Sequence, residues 1–346
     1  MDKKIEKIKE SLSNAEYLFV GIFVFVAIAA AIMMMIYVPS VSTLVNGYAR
    51  TTVLSASLGN ANTADTYFEA NMAVLRTSAS EFDDVEPTDK ATVLEVCKRI
   101  AQNTDFRHVG FTRVDGITVS STGKSSNTSV RAFIKDGLVG VDSLYARTNC
   151  DFDGHPADMY SIPVRDASGN LVGILTGDMV PMKLSDLNLV DIGGDTSCFF
   201  ILDNDGSVIY LSSSENSAGL EFGSNFISML PANDVETKDI EYVLNRVSDI
   251  TFKTIKLNGT EYFAAFSPLQ GRDWTFATII PSRQVMSSFD MLILFTVAAI
   301  GVMALLLIIC SLFIAMRVRS ISEQISDAVD SSLKQLYEIG RASCRE

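Results

Sequence analysis

Two long uncharged stretches dominate the pattern of apolar and polar positions along the chain. Residues 18–38 and residues 291–316 contain no charged side chain. At about 1.5 Å per helical residue, even the shorter stretch spans about 32 Å, close to the ~30 Å hydrocarbon core of a bilayer. The pattern therefore predicts transmembrane helices over 18–38 and 291–316, the second long enough to tilt. Because the first stretch is too long for a signal peptide and ends without a small-residue cleavage site, cleavage is disfavoured.

After the first span, apolar residues recur every three to four positions, which is the spacing of one helix face. The residues that carry this spacing are Leu54, Leu58, Phe68, Met72 and Leu75. The pattern predicts a long helix over residues 39–80. A second helix is predicted over residues 88–102, with Thr88 as its N-cap.

From residue 108 onward the period shortens to that of β-strands, with Gly, Asp and Asn between the runs. Strands are predicted over residues 108–112, 117–120, 159–164, 171–176, 197–202, 208–211, 251–257, 262–267 and 275–280.

These strands form an approximate internal repeat. The hairpin signal Asp115-Gly116 returns as Asp205-Gly206, and a later pair of strands ends first at Pro181 and then at Pro281. Each half contains a strand, an Asp-Gly hairpin, a second strand, an insert and an antiparallel pair. The repeat predicts two α/β modules over residues 81–190 and 191–285, joined near residues 191–195.

Charge sets the expected orientation and excludes one class of function. Four lysines precede the first span, and Arg317 and Arg319 follow the second. Under the positive-inside rule, residues 1–17 and the C-terminal end are expected to be cytoplasmic. The net charge of −13 falls entirely between residues 39 and 290, which argues against a nucleic-acid partner. The mean hydropathy of +0.25 fits a membrane protein.

The long helix followed by two modules, each closing on a strand that ends in proline, resembles a double Cache extracytoplasmic sensor. The resemblance covers residues 39–285. It implies an α+β fold in which two transmembrane helices enclose a tandem PAS-like domain. It also implies small-molecule binding in the membrane-distal module. The expected partners are a small ligand, the membrane and a second copy of the chain, and no cofactor is expected.

The resemblance also suggests a binding site. Thr128 or Ser129 is predicted to cap a short helix, which places Arg131 in a first turn where the helix dipole disfavours a cation. Arg131 followed by Phe133 resembles the Cache pocket pattern, in which the arginine grips a carboxylate. Asp178, at the end of a strand, resembles the aspartate that binds a ligand amine in such sensors.

This chain departs from the amino-acid-binding version of that pattern at three positions. Phe133 stands where the signature has tryptophan, Ile134 where it has tyrosine, and Ser126 where it has another aromatic residue. Tyr145 and Tyr160 are candidates for pocket walls or for core packing. The alternative for Arg131 is an ion pair with a surface acid.

Little else in the sequence indicates chemistry. The two histidines, His108 and His155, lie in no metal-ligand spacing, and there is no nucleophile-elbow or C-x-x-C motif. We therefore predict no metal site and no enzymatic activity. Cys97, Cys150 and Cys198 are read as small buried residues that permit at most one disulfide. The segment from Asp151 to Gly154 is read as a polar turn, and the single Trp274 as a core residue.

The C-terminal region predicts an amphipathic signalling helix over residues 317–337. It resembles the first helix of a HAMP relay, although Gln324 occupies the usual proline position, and a plain coiled coil is the alternative. Residues 338–346 resemble a translated sequencing adapter, so the natural chain is expected to continue into an output domain. A chemotaxis domain is favoured over a diguanylate cyclase or a histidine kinase. Outside this class, an adhesion or scaffold role and a membrane-anchored enzyme are the remaining alternatives.

Overall fold

The computed structural model describes residues 2–192, 197–212, 218–231, 238, 240 and 249–343. Helix α1 runs over Asp2–Ser78 and helix α4 over Ser282–Ser343, and each contains a segment long and apolar enough to cross a membrane. These two apolar helices flank a mixed helix-and-sheet region. The chain divides into two compact units, residues 1–48 with 286–346, and residues 49–285.

The first sheet has six antiparallel strands in the order β3-β2-β1-β6-β5-β4. Their bounds are β1 His108–Arg113, β2 Ile117–Ser120, β3 Ser125–Asn127, β4 Ser143–Asn149, β5 Pro156–Arg165 and β6 Leu171–Met179. The sequence did not predict β3 and β4. The last strand, β6, pairs with the first strand, β1. The two strands that are farthest apart in the sequence therefore lie side by side in the middle of the sheet.

The second sheet has five antiparallel strands in the order β8-β7-β11-β10-β9. Their bounds are β7 Cys198–Leu202, β8 Val208–Leu211, β9 Thr251–Leu257, β10 Thr260–Pro268 and β11 Thr275–Pro281. Here too the last strand pairs with the first, β11 with β7. The predicted Gly193-Gly194 junction lies outside the described residues.

Both short helices begin later than the sequence predicted. Helix α2 covers Lys90–Asn103, and its N-cap is Asp89, whose carboxylate accepts from the amides of Ala91 and Thr92. The prediction of Thr88 as cap was therefore wrong by one residue. An aspartate at this position satisfies amides at the helix start that have no intrahelical acceptor.

Helix α3 covers Ala132–Leu138, and its N-cap residue is Arg131 in an extended conformation. The predicted caps are engaged elsewhere: the Thr128 hydroxyl lies 2.5 Å from that of Thr118, and the Ser129 hydroxyl donates to Asn127 at 2.7 Å. Arg131 therefore precedes the first turn instead of lying within it. The expectation that the helix dipole disfavours Arg131 within the first turn was therefore wrong, because Arg131 is the residue before that turn.

The six-stranded sheet buries two different faces, because alternate residues of a strand point to opposite sides. One face packs an apolar core against α1 and α2; its members include Met72, Leu75, Ile100, Phe111 and Leu175. The opposite face carries α3. Trp274 packs edge-on against Phe68 of α1, at 5.5 Å between ring centroids, in the core of the second sheet.

Candidate functional site

The face of the six-stranded sheet that carries α3 is lined by buried hydroxyl groups. They are Thr112, Thr118, Ser120, Ser161 and Thr176, each at most 4% exposed. Several bond to one another or to the backbone: the Thr112 and Thr118 hydroxyls lie 2.7 Å apart, and Thr176 donates to the Gly110 carbonyl at 3.1 Å. We call this set the hydroxyl floor. Its polarity distinguishes this face from the apolar core behind it.

Two further serines on the same face have buried hydroxyls with no hydrogen-bond partner in the described structure. They are Ser126, which lies opposite Thr118 in the β2–β3 pair, and Ser143, which lies opposite Ser161 in the β4–β5 pair. A buried hydroxyl without a partner costs about 1–3 kcal/mol. Each of these two hydroxyls can therefore gain a hydrogen bond from a polar ligand that binds on this face.

A tight loop over residues 150–155 covers the hydroxyl floor. The Cys150 amide donates to the His155 carbonyl at 3.0 Å, and the Gly154 amide donates to the Cys150 carbonyl at 2.9 Å. Phe152 is 8% exposed and lies over Gly110, where an added Cβ would be 3.7 Å from its ring. Lys124 donates to the Phe152 carbonyl at 2.6 Å and so helps to hold the loop in place.

Arg131 is bound to this loop. Its Nε donates to Asp151 at 3.0 Å and its Nη2 donates to the other oxygen of the same carboxylate, a bidentate arrangement. The Arg131 side chain is 34% exposed. The sequence left open an ion pair between Arg131 and an acid as the alternative. In this arrangement Arg131 makes such an ion pair, and the acid is Asp151 of the 150–155 loop.

Helix α3 packs directly on the sheet through Phe133 and its neighbours. The Phe133 and Tyr145 rings meet edge to face with centroids 6.2 Å apart, and both belong to the small apolar cluster next to the hydroxyl floor. The Tyr145 hydroxyl donates to Asp136 at 2.8 Å, and burial together with this carboxylate raises the Tyr145 pKa to about 12. Gly137 lies against Ile174, with 2.7 Å from an added Cβ to its side chain.

Asp178 is 2% exposed and is engaged by two neighbours that the sequence analysis missed. Arg107 donates to its carboxylate through Nε at 2.9 Å, and His108 Nδ1 lies 3.2 Å from both carboxylate oxygens. Arg107 also pairs with Asp153 at 3.2 Å. Asp178 is therefore a buried carboxylate held in a fixed position by one cation and one imidazole.

Tyr160 lies on the other side of the sheet. It is fully buried against Phe106, and its hydroxyl accepts from Asn71 of α1 at 3.3 Å. Because neighbouring strand residues point to opposite faces, Tyr160 points away from the face that Met159 and Ser161 share. Tyr160 therefore belongs to the apolar core, which is the alternative that the sequence left open, and it does not line the face that carries α3.

The β1–β6 pairing also brings together residues that are far apart in sequence. His108, Cys150 and Asp178 each offer a donor atom within 4.8 Å of the other two. The cysteine is a free thiol, and burial raises its pKa. No spacing rule for metal ligands would select residues 28 and 42 positions apart.

Comparison with solved structures identifies the fold. The sensory domain of the Campylobacter jejuni chemoreceptor Tlp3 with isoleucine bound aligns with a TM-score of 0.54 at 12% identity, covering 72% of this chain and 99% of that one. The ligand-binding domain of Mlp24 with asparagine aligns at 0.52 and 18% identity, covering 72% and 99%. The extracellular domain of the histidine kinase rpHK1S-Z16 aligns at 0.52 and 14% identity, covering 70% and 98%.

This chain has the fold of a dCache-type sensory ligand-binding domain. The resemblance drawn from the sequence is thereby confirmed at the level of the fold. No protein-family model and no curated protein sequence matches the chain. The solved neighbours include both chemoreceptors and a histidine kinase, so the shared fold is compatible with more than one output.

Proposed function

We propose that this chain is the sensory part of a transmembrane receptor that binds a small molecule between the six-stranded sheet and α3. The observation that carries the proposal is the hydroxyl floor, together with the unpartnered hydroxyls of Ser126 and Ser143 beside it. The opposite face of the same sheet, which packs against α1 and α2, is apolar. The dCache-type fold supports the same function.

The ligand that fits best is a small carboxylate-bearing metabolite. Asp151 already binds Arg131 through two oxygens, which shows that this guanidinium presents a geometry suited to a carboxylate. In the bound state the ligand carboxylate replaces Asp151. The 150–155 loop, released from Arg131, then uncovers the hydroxyl floor.

The remaining pocket residues have separate roles in this proposal. Phe133 and Tyr145 form the apolar walls, as their edge-to-face contact already places them beside the floor. Asp178 fixes the ligand's orientation, because a carboxylate has about four acceptor sites and Arg107 and His108 do not exhaust them. The two chemoreceptor domains compared above were solved with isoleucine and with asparagine, so amino acids belong in the first set of compounds to test.

Signalling follows from the placement of the site. We propose that residues 81–190 bind the ligand outside the cell and that residues 191–285 transmit the change. Residues 18–38 and 291–316 cross the membrane, and two copies of the chain associate. A ligand shifts such a receptor only by binding one of its two states more tightly. Chemotaxis is the proposed output, with a cyclase or kinase output as the alternative.

The experiment is a thermal-shift screen of carboxylates, including amino acids, on the purified full chain in detergent, followed by calorimetry on variants. Arg131→Ala removes a bidentate charge-assisted pair worth ~3 kcal/mol, which corresponds to about a hundredfold loss of affinity. Arg76→Ala is the matched control, since Arg76 also pairs with an aspartate, Asp142, away from the hydroxyl floor. If Arg131→Ala binds the selected ligand as tightly as the unmodified chain, the pocket is wrong.

A further inference from the structure

Three side chains at one end of the hydroxyl floor form a compact group of donors. His108 begins β1, Asp178 lies near the end of β6, and Cys150 follows β4 in the loop that covers the floor. His108 and Asp178 are direct partners in the β1–β6 pair, so the sheet itself fixes their separation. Cys150 and Asp178 are each 2% exposed.

The two separations that involve His108 are close to the edges of a metal coordination tetrahedron. His108 Nδ1 lies 3.2 Å from the Asp178 oxygens and 4.0 Å from the Cys150 sulfur. With Zn–N and Zn–O bonds of about 2.1 Å and a Zn–S bond of about 2.3 Å, tetrahedral edges are about 3.4 Å for N–O and about 3.6 Å for N–S. The two separations that involve His108 are therefore within about 0.4 Å of these edges, and the Cys150 sulfur lies within 4.8 Å of the Asp178 carboxylate.

We propose that His108, Cys150 and Asp178 form a binding site for a divalent transition metal of the zinc class. A thiolate and an imidazole select such ions over Ca²⁺ and Mg²⁺, which prefer oxygen ligands. Three protein donors leave the fourth position of a tetrahedral site for water. The proposal goes beyond the carboxylate ligand, although both sites use Asp178, and it is tested separately by titrating the metal alone.

Arg107 has a defined part in this site. Its guanidinium lies 2.8 Å from the Asp178 carboxylate. Arg107 therefore competes with a metal ion for this carboxylate. Its second partner, Asp153, lies at 3.2 Å and gives the guanidinium an alternative when Asp178 turns to the metal. Removing the Arg107 charge should therefore strengthen metal binding, an effect that a purely structural Arg107 would not produce.

The experiment uses the purified full chain in detergent, freed of metal with a chelator and then titrated with Co²⁺ or Zn²⁺ alone. We expect one ion per chain, and with Co²⁺ a thiolate-to-metal charge-transfer band. Cys150→Ser should abolish that band, and His108→Gln should weaken affinity by more than the roughly 10–100-fold typical of losing an outer-shell partner. Arg107→Gln should bind Co²⁺ more tightly than the unmodified chain.

Cys198→Ser is the control, because Cys198 is an equally buried free thiol in the other sheet, and it should keep the band. Thermal melting of each metal-free variant identifies any variant that does not fold. His108→Gln tests the site through metal affinity, and Cys150→Ser tests it independently through the charge-transfer band. Less than one ion per chain, or an unchanged band in folded Cys150→Ser, would overturn the metal site. Neither result bears on carboxylate binding, which is measured in metal-free protein.

Discussion

Arg272, in the turn between β10 and β11, reaches α1 and donates to Asp65 at 3.2 Å. The same guanidinium donates to Glu69 at 2.8 Å and lies 5.1 Å from the centre of the Phe68 ring. The Gln270 amide also donates to Asp65, at 2.7 Å. The β10–β11 turn thus contacts one side of α1 through Arg272, whose side chain is only 8% exposed.

Breaking this contact should destabilise the protein measurably. Arg272→Met leaves the Asp65 carboxylate, which is 12% exposed, without its cation. We expect a loss of about 2–3 kcal/mol in the free energy of unfolding. This is less than the ~3–5 kcal/mol of a fully buried pair, because Glu69 is half exposed. Chemical denaturation followed by the fluorescence of the single Trp274, which packs beside Phe68, measures the change.

Arg76→Met is the matched control for that measurement. Arg76 pairs with Asp142 at 2.6 Å, but its side chain is 47% exposed. Exposed pairs contribute at most about 1 kcal/mol, so the control should change the unfolding free energy by less than half as much. Equal losses in the two variants would contradict the role assigned to Arg272.

Asp158 should make stability fall as pH rises through the acidic range. Burial raises its pKa above the ordinary 3.8, although the amides of Arg147 and Met182 donate to it. Between those two pKa values the folded state binds more protons than the unfolded state, so the unfolding free energy decreases with pH and levels off above the folded pKa. Denaturation at a series of pH values should show this slope, and Asp158→Asn should remove it.

Asp89 should have the opposite effect on the pH dependence of the unfolding free energy, and the same denaturation series measures it. Hydrogen bonds from the Thr92 side chain and from the α2 amides lower its pKa. Its stabilising effect is therefore present above pH 3.8 and is lost as pH falls through the lower, folded pKa. Asp89→Asn preserves the cap but should remove this loss. Identical pH profiles for both variants and the unmodified chain would show that neither carboxyl contributes.

Asp151→Asn should tighten binding of a carboxylate ligand. Asp151 competes for Arg131 in the ligand-free arrangement, and asparagine keeps the shape while removing the charge. We expect at least a severalfold lower Kd by calorimetry. Asp166→Asn is the control, because Asp166 is confined to the β5–β6 turn, where it accepts from Ser168 and Asn170. Weaker binding by Asp151→Asn would mean that Asp151 belongs to the bound state.

Reporter fusions test the proposed topology. Fusions after residue 337 should be active with a reporter that requires the cytoplasm, and fusions near residue 170 with one that requires the extracytoplasmic space. The basis is the cations flanking both apolar segments, Lys3 to Lys9 on one side and Arg317 with Arg319 on the other. An extracytoplasmic signal after residue 337 would reverse the placement of the sensory region.

The sequence predicted the long helix and nine of the described strands because these follow simple periodicities. It missed β3, which is three polar residues, and β4, whose pairing with β5 is interrupted by an irregularity near Arg147, a residue with φ of 46°. The site was harder to predict. Arg107 and His108 meet Asp178 only through the β1–β6 register, and local periodicity does not determine which distant strands pair.

The contact between Gly137 and Ile174 sets the resting distance between α3 and the sheet. At this point the helix backbone lies against β6 with no room for a methyl group, since an added Cβ would be 2.7 Å from the Ile174 side chain. A larger residue at 137 therefore requires either that the Ile174 side chain moves or that α3 lies farther from β6. Under the proposed receptor function, a change in the α3–β6 spacing is expected to shift the ligand-free balance between the two receptor states, because that balance depends on the relative free energies of the two packings.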